Sequence, residues 1–169
     1  VFDANTDKLD LGHHRSFNIQ KGNFSIDFWV KFSSLTGEQK IITKSGAFEV
    51  VKNASNEIEF KTKGESRLKS TPFIKNITDW HHVAISANFN TGNRKLELRL
   101  LVNGKVNSEA KDEDTKEITF LYEDLQAKSN NSLEIGGNLS AKLYGLRFYM
   151  GGSLFNSEFS PSVSIHKQP

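Results

Sequence analysis

Between Phe24 and Phe32 every second residue is large and apolar: Phe24, Ile26, Phe28, Val30 and Phe32. Ser25, Asp27, Trp29 and Lys31 stand between them. A period of two predicts a β-strand with one face in a core. Five large side chains on that face require a second layer to cover them. Trp29 is the odd residue, a large aromatic on the otherwise polar face.

The rest of the chain carries short alternating runs separated by Gly, Asn, Asp and Ser, and almost no helical periodicity. Val1–Gly12 predicts a short extended piece that turns at Asn5-Thr6-Asp7, and 16–22 a loop. Residues 41–44 and 47–52 predict a hairpin around Ser45-Gly46. In 57–63, Ile58, Phe60 and Thr62 share one face, and Glu57, Glu59, Lys61 and Lys63 the other, which reads as solvated. Gly64 closes that run. Residues 80–89 are apolar on both faces, which predicts a central strand covered on both sides, with His82 and His81 packed. In 95–102, Leu96, Leu98, Leu100 and Val102 point inward; Glu97, Arg99 and Leu101 point outward. Asn103-Gly104 is a strong hairpin signal and predicts a type I′ turn into 105–109. Residues 118–122, 132–135 and 142–150 complete the predicted strands, with a helical turn over 122–125. This pattern predicts an all-β sandwich over residues 1–160, with 161–169 as a polar tail or linker.

Composition narrows the function. The 169 residues carry 22 basic and 20 acidic side chains, interspersed, so no field favours nucleic acid. No apolar run approaches the roughly 20 residues that span a bilayer. The chain has no cysteine, which excludes disulfides, thiolate metal sites and a cysteine nucleophile. It opens at Val1-Phe2-Asp3 without an initiator methionine, as expected of a piece of a larger protein. Sequons at Asn23, Asn53, Asn76, Asn130 and Asn138 fit a secretory route.

Motifs for catalysis are weak. Glu57 and Glu59 share a strand face about 7 Å apart, a spacing open to a glycosidase. Their alternation with lysines favours a surface role. His81 and His82 point to opposite faces of a strand and cannot join one metal site without a bulge. His13-His14 with Asp7 or Asp10 offers a second, weak metal set. Neither a nucleophile elbow nor a phosphate loop is present, and 112–114 reads as a solvated acidic tip. Asp3, Asp7 and Asp10 are hard oxygen ligands near the N-terminus and the candidate set for calcium, against turn formation as the simpler role.

Five ordered segments carry a family resemblance. They are Phe24-Ser-Ile-Asp-Phe-Trp-Val-Lys31, Trp80-His-His-Val-Ala-Ile85, Leu100-Leu-Val-Asn-Gly-Lys105, Leu133-Glu-Ile-Gly-Gly137 and Tyr144-Gly-Leu-Arg-Phe-Tyr149. Together with Val1-Phe2-Asp3 the set resembles the laminin-G-like, pentraxin-like branch of the concanavalin A-like lectin/glucanase superfamily. The resemblance implies a jelly-roll sandwich of two antiparallel sheets that binds glycans or protein surfaces. It also implies a structural Ca2+ between the N-terminal segment and an acidic residue before the last strand. That position is Tyr144 here, so the implied calcium set lacks a ligand. The glucanases of the superfamily carry Glu-x-Asp-x-Glu; Glu57-Ile-Glu-Phe-Lys61 lacks the last acid, so hydrolase activity is not expected.

The expected function is therefore a non-catalytic, lectin-like module of a larger secreted or surface protein. The alternative is a protein-interaction domain with no sugar ligand. Candidate ligand contacts are Asn53, Arg67, Arg94, Arg99, Tyr122 and Tyr144. Because the family pattern carries a Trp at this place, Trp29 is expected to pack under a loop or terminal segment in preference to stacking on a sugar.

Overall fold

The computed structural model describes residues 1–3, 6–19, 23–90, 95–111, 129–152, 154–155 and 157–161. Arg94, Tyr122, the acidic run 112–114, the predicted strand 118–122, the helical turn 122–125 and the tail 162–169 lie outside them.

The strands are β1 (Lys8–Asp10), β2 (Phe24–Phe32), β3 (Gln39–Lys44), β4 (Phe48–Lys52), β5 (Ile58–Thr62), β6 (Glu65–Lys69), β7 (His81–Asn90), β8 (Lys95–Val102), β9 (Lys105–Lys111), β10 (Leu133–Asn138) and β11 (Ala141–Met150). A single 3₁₀ turn, Arg15–Phe17, interrupts them among the described residues. Two antiparallel sheets form: β1-β10-β3-β4-β5-β6 and β11-β2-β7-β8-β9. The architecture is the all-β, two-sheet jelly-roll sandwich that the pattern predicts.

The core follows the alternation. Phe24, Ile26, Phe28, Val30 and Phe32 are buried against the six-stranded sheet, whose Phe48, Val50, Ile58, Phe60 and Ile135 face them. The Phe24 and Phe60 rings meet 5.8 Å apart across the sandwich. Burying each such side chain contributes about 2 kcal/mol.

Four features depart from the sequence reading. The polar face of β2 is covered as well, since Ser25, Asp27 and Trp29 are all buried. Gly64 ends the run as expected, but the pairing continues: Lys63 and Gly64 take positive φ and turn the chain into β6, a strand the sequence pattern does not predict and on which Arg67 sits. Only Leu68 marks β6 with an apolar residue, too weak a signal for alternation. Glu57 and Glu59 are not fully solvated: each side chain is 14% exposed, drawn down by Lys69 and Lys61. Finally, two strand lysines, Lys44 and Lys52, are buried.

β7 lies between β2 and β8, the central position its two apolar faces require. Its outer face is covered by the segment that follows β11. Gly151 N donates to Asn23 O, and Leu154 N donates to Ser25 Oγ over β2. Phe155 and Phe159 pack on Ala84 and Leu101. Phe159 N then donates to Gly104 O in the β8–β9 turn. The described residues of 151–161 thus lie across the outer face of the five-stranded sheet as a strap.

Candidate functional site on the outer face of the five-stranded sheet

The site is built on β2 and β11. Tyr144 pairs with Trp29 and Arg147 with Asp27, so Gly145 and Leu146 on β11 stand opposite the single residue Phe28 on β2. Strict alternation would put Tyr144 and Arg147 on opposite faces. A bulge at Gly145, with φ of +62°, rephases the strand and brings both to the outer face, while Leu143, Leu146 and Phe148 pack inward. Tyr149, paired with Ser25, shares that outer face, and the Arg147 guanidinium lies 5.9 Å from its ring centre.

Asp27 fixes the guanidinium. Arg147 Nε donates to Asp27 Oδ1 at 3.1 Å, and Nη2 donates to Oδ2. The same Oδ2 lies 3.0 Å from His82 Nε2. These bonds to Asp27 hold Arg147 ionised above its ordinary range. The His82 ring is enclosed by Trp29, Phe155 and Phe159, with centroids 5.1, 6.3 and 5.5 Å away. Its Nδ1 has no partner among the described residues. Packing of His82 and His81 follows the expectation from the strand pattern.

Trp29 is 7% exposed and lies beneath the terminal strap, as expected. Its remaining edge lines two hollows, one on each side of residues 159–161. The first, of about 390 Å³, is lined by Tyr144, Gly145, Arg147, His82, Phe155 and the strap. The second, of about 710 Å³, is lined by Trp80, Asn103, Gly104, Lys105, Glu158 and the strap.

Among the described residues, the other sequence candidates do not join Tyr144. Arg99 lies on β8, with β2 and β7 between it and β11, and donates to Glu97 at 2.8 Å. Asn53 follows β4 in the other sheet, where its amide donates to Glu57 at 2.7 Å and Glu59 at 2.8 Å. Arg67 donates from Nε to Thr62 Oγ1 and pairs with Glu65. The Asp7 and Asp10 carboxylates accept local backbone bonds: Asp3 N donates to Asp7 Oδ2, and Gly12 N donates to Asp10 Oδ1. Among the described residues no three His, Cys, Asp or Glu side chains gather as a metal site. Asp3, Asp7 and Asp10 therefore do not form such a group.

Arg147 is a candidate side chain that the sequence pattern does not single out. Its signal was Gly145, which permits the bulge. Hydrolysis finds no support at Glu57. The Asn53 hydrogen bond, with help from Lys69, lowers its pKa from the usual carboxylate value, the opposite of what a general acid needs.

These features define a lectin-like β-sandwich with a side-chain site on one sheet face. The chain belongs to the concanavalin A-like lectin/glucanase superfamily, whose laminin-G-type family model matches residues 3–151. No curated protein sequence matches the chain significantly. Among solved structures, it is similar to the carbohydrate-binding module, CBM40, of the Ruminococcus gnavus IT-sialidase bound to α2,3-sialyllactose. That likeness has 14% identity, covers 91% of this chain and 90% of the other, and has a TM-score of 0.56. A Bacteroides ovatus protein to which carbohydrate binding is attributed is similar at 13% identity and TM-score 0.61, over 92% of this chain and 45% of that one. The binding domain of botulinum neurotoxin DC, in complex with rat synaptotagmin II, is similar at 16% identity and TM-score 0.55, over 87% of this chain and 37% of that one. At these identities the likeness is one of fold.

Proposed function

We propose that this domain is a non-catalytic carbohydrate-binding module of a larger secreted or surface protein, and that a saccharide sits in the Tyr144–Arg147 hollow. The observation that carries this reading is the pairing of an exposed aromatic ring with a fixed guanidinium at one concave place. Tyr144 is 48% exposed and offers a face to an apolar sugar surface. Arg147 uses one N–H each of Nε and Nη2 on Asp27 and, with Tyr149 beside the guanidinium, has further N–H groups to offer a ligand oxygen. The donor is held before the ligand arrives, which lowers the ordering cost of binding. A guanidinium suits a carboxylate-bearing sugar, and the R. gnavus module is described with α2,3- and α2,6-sialyllactose bound.

Glycan-array binding followed by calorimetry tests this reading. Tyr144→Ala is the cleaner variant, since the ring is exposed; it should weaken glycan binding roughly tenfold with the fold unchanged by circular dichroism. Glycan binding that ignores this variant would displace the site. A blank array would refute the reading. Capture of a protein would then support the alternative, an interaction domain presenting Tyr144 and Met150 along the edge strand β11, where both are exposed.

A further inference from the structure

We infer that the second hollow, across the strap from Tyr144, is a distinct subsite for a neutral pyranose. This inference rests on the glycan-binding reading and extends it to residues on different elements. Three observations carry it.

The hollow brings together both tryptophans of the chain. Trp80 precedes β7 and is partly exposed; Trp29 contributes an edge from β2. Phe159 and Pro161 add further apolar wall. A volume of about 710 Å³ falls within the usual range for small-ligand sites.

Polar groups of both kinds face the same space. Lys105 and Glu158 line it, and neither side chain has a hydrogen bond or ion pair to a described residue. An unengaged donor and an unengaged acceptor beside aromatic faces match the chemistry of a sugar ring, which shows C–H on one side and hydroxyls at its edge. Opposite charges on the two groups favour a neutral ligand, because either charge alone would repel one sign of substituent.

The walls are fixed. Gly104 has φ of +80°, and a Cβ there would lie 1.8 Å from Phe159 O. Phe159 N donates to Gly104 O at 2.9 Å, so the β8–β9 turn and the strap are locked together. The hollow between them is therefore formed before any ligand arrives.

The test uses the two tryptophans as reporters. The ¹⁵N-labelled domain has two indole N–H resonances, assigned with Trp80→Phe. The probes are the methyl glycosides of glucose, galactose and mannose, with lactose and sialyllactose. At least one neutral probe should shift the Trp80 resonance. Glu158→Gln and Lys105→Met, both at exposed positions, should each weaken that binding roughly tenfold. If no probe moves the Trp80 resonance, or if both variants bind as the parent does, the subsite is refuted. Sialyllactose binding that is lost in Tyr144→Ala would then leave the first hollow standing. Blank titrations together with a blank array would remove both readings.

Discussion

The Arg147 guanidinium holds the Asp27 carboxylate on both oxygens, and Asp27 is 1% exposed. Asp27 lies on the outward side of β2, where alternation alone predicts contact with water. It is buried where Arg147 and His82 converge on it. The pair positions the candidate binding side chain and also satisfies a charge that would otherwise be costly to bury.

Arg147→Met should therefore destabilise the domain, since His82 alone would remain on the Asp27 carboxylate. Breaking a buried pair from one side costs about 3 kcal/mol at the lower end, and the half-exposed position of Arg147 favours that end. Urea unfolding measures it. A loss below about 1 kcal/mol would show that the pair behaves as an ordinary surface contact.

Gly104 and Gly64 share one backbone conformation and differ in surroundings. Gly104 has φ of +80° with Phe159 O and Pro161 in the way of a Cβ; Gly64 has φ of +82° with nothing within 4 Å. Gly64→Ala should cost only the left-handed strain, about 1 kcal/mol. Gly104→Ala should cost about 3 kcal/mol or more, because the strap must also move. Limited proteolysis within 151–161 should accelerate in Gly104→Ala and not in Gly64→Ala. Equal rates would mean that the turn does not anchor the strap.

Lys52 is an inward-facing lysine on β4, in phase with Phe48 and Val50. Its ammonium donates to Leu35 O, Gly37 O, Asn53 O and Asn56 Oδ1 at 2.8–3.2 Å. It thus ties the 35–37 loop to the turn after β4. Lys52→Met keeps the stem but strips these oxygens of their donor, with an expected cost of about 3 kcal/mol. Amide exchange at Gly37 and Asn56 should rise in the variant. Unchanged stability would indicate that water satisfies the same oxygens.

Lys52 and Arg147 also mark what alternation could not carry. The inward faces of β2, β5, β7 and β8 were legible because each places apolar residues at a period of two. Lys52 was hidden because its burial depends on carbonyls from two loops that no local pattern links to it. Arg147 was hidden because the bulge at Gly145 reverses the phase between it and Tyr144. The cover on Trp29 was expected, but its source, the strap anchored at Gly104, involves residues 55 positions away in the chain, Gly104 against Phe159. Of the candidate contacts within the described residues, Tyr144 alone lines either hollow; Asn53, Arg67 and Arg99 lie away from β11 and bind neighbours.

His81 provides the pH dependence. Its ring is buried beside Phe73 at 5.1 Å, and neither ring nitrogen has a partner among the described residues. Burial lowers its pKa from the ordinary value of 6.5, and the nearby Asp79 opposes this only in part. The folded state therefore resists protonation that the unfolded chain accepts. The stability linked to His81 is fully present above about pH 6.5 and is lost as the pH falls below it toward the depressed folded value. Urea midpoints measured from pH 7.5 to 5 should fall across this window. In His81→Phe, which fills the site with an uncharged ring, the slope over the same window should flatten. A slope identical in the two proteins would assign the pH dependence to other groups.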